Sequence, residues 1–112
     1  MKIKSSESVQ SNPVEMEGAE GTRIRLLIHE AEGAPNFYMR EFIIAPGGCT
    51  PLHTHEWEHE VFMLSGQGVA VSPEGENRIS PGDSVFVPPG EQHQFRNTGT
   101  EELKLLCLVP KS

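Results

Sequence analysis

The chain has few of the residues that mark secreted or nucleic-acid-binding proteins. It contains two cysteines in 112 residues, and a single disulfide is unusual in a chain without a secretory signal, so we predict that both are reduced thiols. Nine Lys and Arg stand against 16 Asp and Glu, for a formal net charge of −7. This balance argues against nucleic acid or an anionic membrane as a partner, because phosphate contacts need clustered cations.

Long apolar runs are also missing. No stretch approaches the roughly 20 apolar residues that span a bilayer, and the first residues lack the apolar core of a signal peptide. The expectation is therefore a cytoplasmic protein that does not associate with membranes. Residues 1–22 contain mostly serine, asparagine and glutamate with isolated apolar residues, which predicts an N-terminal arm over 1–22 and one folded domain over 23–112.

A helical pattern is absent as well. Eleven glycines and nine prolines separate short apolar runs, and no segment is long and amphipathic enough to predict a helix. This pattern favours an all-β jelly-roll barrel. The candidate strands are Arg23–Ile28, Phe37–Ile44, Cys49–His53, His59–Ser65, Gly68–Val71, Asn77–Ile79, Ser84–Val87, Gln92–Asn97 and Glu102–Val109.

Histidine is present at fixed distances from glycine. The first such pattern reads Gly47-x5-His53-x-His55-x3-His59-x6-Gly66. On a continuous strand alternate residues share a face, so these three histidines would point one way and Glu60 the other. A bulge between positions 55 and 60 would reverse the choice between His59 and Glu60. We therefore predict His59 as a metal ligand and keep Glu60 as the alternative.

A second pattern follows later in the chain. It reads Gly82-x5-Pro88-x-Gly90-x2-His93-x3-Asn97. Its prolines fix φ and its glycine supplies a positive φ, so a turn should deliver His93 from a distant strand. Ordinary surface histidines would not require both glycine-bounded spacings. We predict a metal site made of His53, His55, His59 and His93.

These two patterns resemble the two motifs of the cupins. The run from His53 to Glu60, HTHEWEHE, is similar to the HxHxWEHE segment of small single-domain cupins with an all-histidine metal site. The family usually has glutamate where this chain has His59. The resemblance implies a double-stranded β-helix barrel and one divalent transition metal per chain. It points to manganese or iron, whereas imidazole ligands are equally compatible with zinc, nickel or copper.

Four neutral imidazoles would leave two adjacent positions of an octahedral ion open to a ligand, as in catalytic metal sites. The leading functional prediction is a mononuclear Mn or Fe dioxygenase acting on a small organic molecule in the barrel. The alternatives are a cupin that binds or senses a small ligand without turnover, or a cupin isomerase. The sequence contains no obvious general base beside the metal, which disfavours the isomerase.

Two side chains outside the motifs are candidate catalytic residues. Cys107 lies on the last strand, on the face opposite Lys104, and is either a core residue or a thiol near the metal. Arg40 lies on a strand whose two faces are both apolar enough to be the interior. If Arg40 points inward, it is a buried cation beside a metal and requires an anionic partner or substrate. Trp57 could cover the site or pack at its rim.

A partner is predicted from apolar residues on both faces of two strands. Phe37–Ile44 and Leu103–Val109 have this pattern, whereas a strand with one solvated face should alternate. The second apolar face needs a cover, which a symmetric copy of the chain can provide. We therefore predict a homodimer that acts on a small molecule.

Overall fold

The computed structural model describes residues 1–111 of the chain. Within them it has nine strands and two single-turn 3-10 helices, Ser6–Ser8 and Glu30–Glu32, and no α-helix. None of these helical segments is long and apolar enough to cross a bilayer. The all-β prediction is confirmed. The strands are β1 (Asn12–Pro13), β2 (Glu20–Ile28), β3 (Phe37–Cys49), β4 (His59–Ser65), β5 (Gly68–Ser72), β6 (Gly75–Ile79), β7 (Ser84–Val87), β8 (Gln94–Asn97) and β9 (Leu103–Pro110).

The strands form one curled antiparallel sheet in the order β6-β5-β8-β3-β9-β4-β7, with β2 paired to β3 and β1 to β2. The 13-residue strand β3 joins the two halves. Its first part, Phe37 to Ile44, pairs with β9, and its last residue, Cys49, pairs with Arg96 of β8. The sheet therefore closes around an interior that both halves line.

The core lies on the inner face of this barrel. In β9 and β4 burial alternates residue by residue, as expected for strands with one face inside. The predicted inner face of β9, which includes Cys107, is confirmed. The buried core comprises Tyr38, Ile44, Val61, Met63, Ile79, Val87, Phe95, Leu103, Leu105, Cys107 and Val109. Each large aliphatic side chain buried here contributes about 1.5–3 kcal/mol.

Two residues of the histidine-containing motifs are structural. Gly66 has φ +88°, and a Cβ there would lie 2.5 Å from the Glu102 carbonyl oxygen, so a side chain is excluded. The buried Asn97 side chain donates to the carbonyls of Ile44 and Glu101, both at 2.8 Å, and accepts from Gly99 N at 2.9 Å. Gly66 thus lets the turn between β4 and β5 pack against Glu102, and Asn97 links β3 to the segment that follows β8.

One predicted strand is wrong. Cys49–His53 does not form a strand of its own, because β3 continues to Cys49 and residues 50–58 form an irregular segment. Pro51 cannot donate to a ladder, and the chain bends at Glu56 and Trp57. The alternation argument for the histidines assumed a continuous strand and therefore does not apply between His53 and His59. By contrast, His59–Ser65 and Ser84–Val87 agree with prediction at both ends.

The N-terminal segment packs on the barrel. β2 begins at Glu20, inside the predicted arm, and Thr22 is buried, with its hydroxyl donating to the Cys49 carbonyl at 2.8 Å. Earlier residues are tied down by Arg25 Nε, which donates to the Val9 carbonyl at 3.1 Å, and by Val14 N, which donates to the Thr22 carbonyl at 2.9 Å. The segment before β2 therefore lies against the sheet.

Candidate metal centre

The four histidines of the two motifs converge inside the barrel. The ring centroid of His93 lies 4.9 Å from that of His53 and 5.0 Å from those of His55 and His59. His55 and His59 are closer, at 4.3 Å. Rings from three separate parts of the fold thus share one small volume.

Main-chain hydrogen bonds bring these parts together. His53 and His93 form an isolated antiparallel bridge, with N to O distances of 3.2 and 3.1 Å in the two directions. Gly90, which has φ +80°, donates its N–H to the His55 carbonyl at 2.8 Å. Thr50 fastens the start of the irregular segment, because its hydroxyl accepts from Phe95 N at 2.8 Å. Main-chain hydrogen bonds, together with the Thr50 hydroxyl, set the positions of His53, His55 and His93.

The same three rings are oriented by main-chain carbonyls. The Nδ1 atoms of His53, His55 and His93 lie 2.9, 2.7 and 2.9 Å from the carbonyl oxygens of Pro51, Trp57 and Glu91. A carbonyl only accepts, so each Nδ1 bears the proton and each Nε2 retains a free lone pair. This is the tautomer and the outer hydrogen bond typical of metal-binding histidines.

His59 is oriented differently. Its Nδ1 lies 2.7 Å from the Cys107 sulfur, and its Nε2 contacts Nε2 of His55. The ligand atoms of His53, His55 and His93 all lie within 4.8 Å of one another, and the His55 contact directs His59 to the same place. The donor set and spacing fit a divalent transition metal. His59 as the fourth ligand stays a prediction.

The protein environment keeps three of these imidazoles neutral. Burial, followed by the nearby His55 ring and the Arg40 cation, lowers the pKa of His59 to about 3. Burial is also the largest cause of the lowered pKa of His55 and of His93. All three are therefore unprotonated near pH 7, which is the form that binds metals.

Glu60, the alternative ligand, lies on the other face of β4. It is exposed and lines a separate outer depression with Glu58, Phe37 and Leu108. His59 is inside because it starts the strand on the buried parity. The carboxylate of Glu60 is not brought to the histidine cluster.

The cluster opens into a cavity of about 370 Å³ whose walls are largely apolar. Phe42, Phe95 and Leu105 form part of the wall, and all four clustered histidines line it. A larger and more charged cleft of about 600 Å³ lies beyond His93, the one clustered histidine that reaches it. We take the smaller cavity as the site because the ligand nitrogens converge there.

Arg40 and Cys107 both face this cavity. Arg40 Nη2 donates to the Cys107 sulfur at 3.2 Å, and the guanidinium carbon lies 5.2 Å from the centroid of Phe42. The Arg40 Nε is buried without a hydrogen-bond partner. Burial raises the pKa of the Cys107 thiol. Cys107 is thus a core residue and a neighbour of His59 at once, so the two alternatives from the sequence are compatible.

Sequence reasoning missed the contribution of the N-terminal segment. Val14 and Met16 line the cavity, although both belong to the stretch that was expected to be an arm. The signal available was their alternate spacing in an otherwise polar stretch. The sequence left open whether Trp57 covers the site or packs at its rim. In the structure its ring stacks on His55, with centroids 4.6 Å apart and planes 7° from parallel.

The comparison with known families agrees with this geometry. A family model described as a cupin domain matches residues 40–109. The chain belongs to the cupin family. The matched region contains every strand from the middle of β3 to β9, all four clustered histidines and both Arg40 and Cys107.

Similar proteins include enzymes and a binding protein. The solved structure of the polyketide cyclase RemF from Streptomyces resistomycificus is 36% identical, with a TM-score of 0.93, and the match covers 98% of this chain and 79% of that one. The oxalate-binding protein of Thermotoga maritima is 31% identical over 97% of this chain and 93% of its own length. The 1-methylthio-D-xylulose 5-phosphate methylsulfurylase of Rhodospirillum rubrum is 37% identical over 63% of this chain, which spans only 46% of that enzyme.

Proposed function

We propose that this cupin is a metalloenzyme in which His53, His55, His59 and His93 hold one divalent metal at the wall of the apolar cavity. The observation that carries the proposal is the set of rings whose Nδ1 atoms are engaged and whose Nε2 atoms converge. A metal bound there supplies Lewis-acid polarisation of a ligand oxygen or, if it is manganese or iron, activation of dioxygen.

The protein's own residues bind and orient the substrate. Phe42, Phe95 and Leu105 provide an apolar wall that excludes water from the reacting end of the molecule. Trp57 and Met16, each partly exposed, lie where the cavity meets solvent and contact the outer part of the ligand. The Nε2 atoms of His53, His55 and His93 bear no proton, so these rings act there as ligands and not as acids.

Within this class we propose dioxygenase activity on a small organic molecule. Among residues 1–111, none of the side chains lining the cavity is a carboxylate. Proton-transfer reactions such as sugar isomerisation usually depend on a positioned acid or base, so this lining favours a reaction at the metal. We propose manganese or iron as the metal, since both can activate dioxygen.

A second candidate is a carbonyl-activating reaction such as a ring closure. It is favoured by the likeness to the polyketide cyclase RemF over nearly the whole chain. The two candidates differ in oxygen demand, since a cyclase needs Lewis-acid polarisation but consumes no dioxygen.

One experiment separates the candidates. Protein purified without chelator is analysed for transition metals and then incubated with phenolic, alkene and diketone compounds while oxygen uptake and products are followed. Oxygen uptake with a new oxygenated product supports the dioxygenase. Product formation without oxygen uptake supports the cyclase type, and tight binding with the compound recovered unchanged supports a binding protein like the oxalate-binding relative.

The homodimer predicted from the sequence stays a prediction. Phe62 and Phe86 lie on the outer faces of the paired strands β4 and β7 and are 44% and 60% exposed. We expect sedimentation velocity at micromolar concentration to give the mass of two chains. A monomer would contradict the prediction, and Phe86→Glu is the variant expected to weaken the pair.

A further inference from the structure

We propose that the cavity takes a small organic carboxylate and that Arg40 is the residue that binds its charged end. The inference rests on the proposed function, because the same cavity holds the histidine cluster. It adds the chemical class of the substrate and a specificity-determining residue.

The charge of Arg40 is not balanced by the protein. The adjacent carboxylate, Glu41, is on the opposite face of β3 and forms an ion pair with Arg25 at 2.8 Å. In the part of the chain that the structure describes, the cavity lining includes Arg40 but no aspartate or glutamate. A guanidinium is always protonated, and an unpaired charge on an apolar wall is unfavourable unless a ligand compensates it.

Most of the hydrogen-bonding capacity of Arg40 is also unused. One Nη2 contact goes to the sulfur of Cys107 at 3.2 Å, and sulfur is a weak acceptor. The buried Nε has no partner. The Phe42 ring, 5.2 Å from the guanidinium carbon, holds the group in place. A guanidinium has a planar fork of N–H donors that can pair with two carboxylate oxygens at once.

The position of Arg40 directs a bound carboxylate toward the histidines. The sulfur of Cys107 lies 3.2 Å from Arg40 Nη2 and 2.7 Å from His59 Nδ1, so one sulfur atom separates the guanidinium from the cluster. The apolar wall formed by Phe42, Phe95 and Leu105 suits the rest of the molecule. A carboxylate with an apolar body therefore matches both ends of the cavity.

The test compares carboxylates with their neutral amides. Acetate, benzoate and 1-naphthoate, each beside its amide, are titrated into chelator-treated protein and into zinc-loaded protein. Trp57 is the chain's one tryptophan and lies in the cavity lining, so its fluorescence reports binding at this site. We expect at least one carboxylate to bind in preference to its amide in the chelator-treated protein. No preference in any of the three pairs overturns the proposal.

Variants identify the responsible cation. Arg40→Met should weaken carboxylate binding by about 10- to 100-fold, as expected when charge-assisted hydrogen bonds are lost, and should leave amide binding unchanged. Arg40→Lys keeps the charge without Nε and should be intermediate. The matched control is Arg78→Met, since Arg78 is exposed and outside this cavity. Equal carboxylate affinity in Arg40→Met and wild type refutes the assignment.

Two further measurements distinguish failure of this inference from failure of the proposed function. Arg40→Met should unfold at the same temperature as wild type or higher, because it removes an uncompensated charge; a marked fall would assign Arg40 a structural role instead. Metal content is measured in parallel. Bound metal without a carboxylate preference removes the inference and leaves the metalloenzyme intact. An Arg40-dependent carboxylate preference in protein that takes up no metal supports the inference and contradicts the metalloenzyme proposal.

Discussion

The histidines of the cluster are held in two different ways. His53, His55 and His93 lie outside the regular strands, and main-chain carbonyls fix their rings. His59 starts the regular strand β4, yet its ring is held by a side chain, that of Cys107. Side-chain substitutions elsewhere should therefore not readily change the ring orientations of His53, His55 and His93. The ring orientation of His59 depends on the thiol of Cys107.

The largest expected effect comes from removing a ligand from the group held by the main chain. His53→Ala should lower bound metal from one ion per chain to nearly none, because it breaks the group whose ligand atoms lie within 4.8 Å of one another. Metal analysis after dialysis measures this. His59→Ala should weaken the affinity while leaving those three nitrogens in place. An unchanged affinity in His59→Ala would remove His59 from the ligand set.

A smaller effect is expected when only the orienting thiol is removed. Cys107→Ala leaves all four rings but frees His59 Nδ1, and loss of such an outer partner typically lowers metal affinity by about 10- to 100-fold. Competition with a chromophoric chelator measures the change. Cys49→Ala is the matched control, since that sulfur contacts the Gly18 carbonyl instead of the cluster. Equal losses in the two variants would deny Cys107 this role.

Low pH should lower the folding stability of the metal-free protein through His59. Burial lowers the pKa of His59 from 6.5 to about 3, so between those values the unfolded chain binds a proton that the folded chain does not. Folding stability therefore rises with pH across this window and falls as pH drops from about 6.5 toward 3. Urea unfolding at several pH values measures the slope. His59→Gln should flatten it, and an equal slope in that variant would assign the acid sensitivity to other groups.

The smallest effect concerns the N-terminal wall of the cavity. Met16→Ala should weaken binding of 1-naphthoate severalfold, because a partly exposed thioether contributes about 1 kcal/mol or less to apolar contact. Metal content should not change, since Met16 lines the cavity but is not one of the clustered histidines that would hold the metal. Trp57 fluorescence measures the affinity. If Met16→Ala binds 1-naphthoate as tightly as wild type, the N-terminal segment does not contribute to ligand binding.

Much of the barrel could be predicted from alternation and turn residues. β4 and β7 agree at both ends; each contains a short apolar run and is followed directly by Gly66 or Pro88. The segment 50–58 could not be predicted. Its path follows from the His53–His93 bridge and the Gly90 contact with His55, which are pairings between distant parts of the chain. The histidines were predicted as a group, but by a strand argument that the fold does not follow.

Two features of the site required the tertiary structure. The orientation of Arg40 was ambiguous because both faces of its strand are apolar, and only pairing with β2 and β9 decides which face is inside. The packing of Val14 and Met16 follows the pairing of β1 with β2, and a strand of two residues gives little periodic signal beyond the alternate spacing of these two apolar residues. Both cases depend on contacts between elements.

The bridge between His53 and His93 also bears on the order of events during folding. Two of the proposed metal ligands are hydrogen-bonded to each other through their backbones, and the four strands β4 to β7 lie between them in the chain. Pairing of such distant segments is slow compared with local structure formation. The complete ligand set therefore exists only in a chain whose barrel has closed. Metal uptake by a refolding chain would therefore report when these two segments pair, and we expect a chain in which they are unpaired to bind metal weakly.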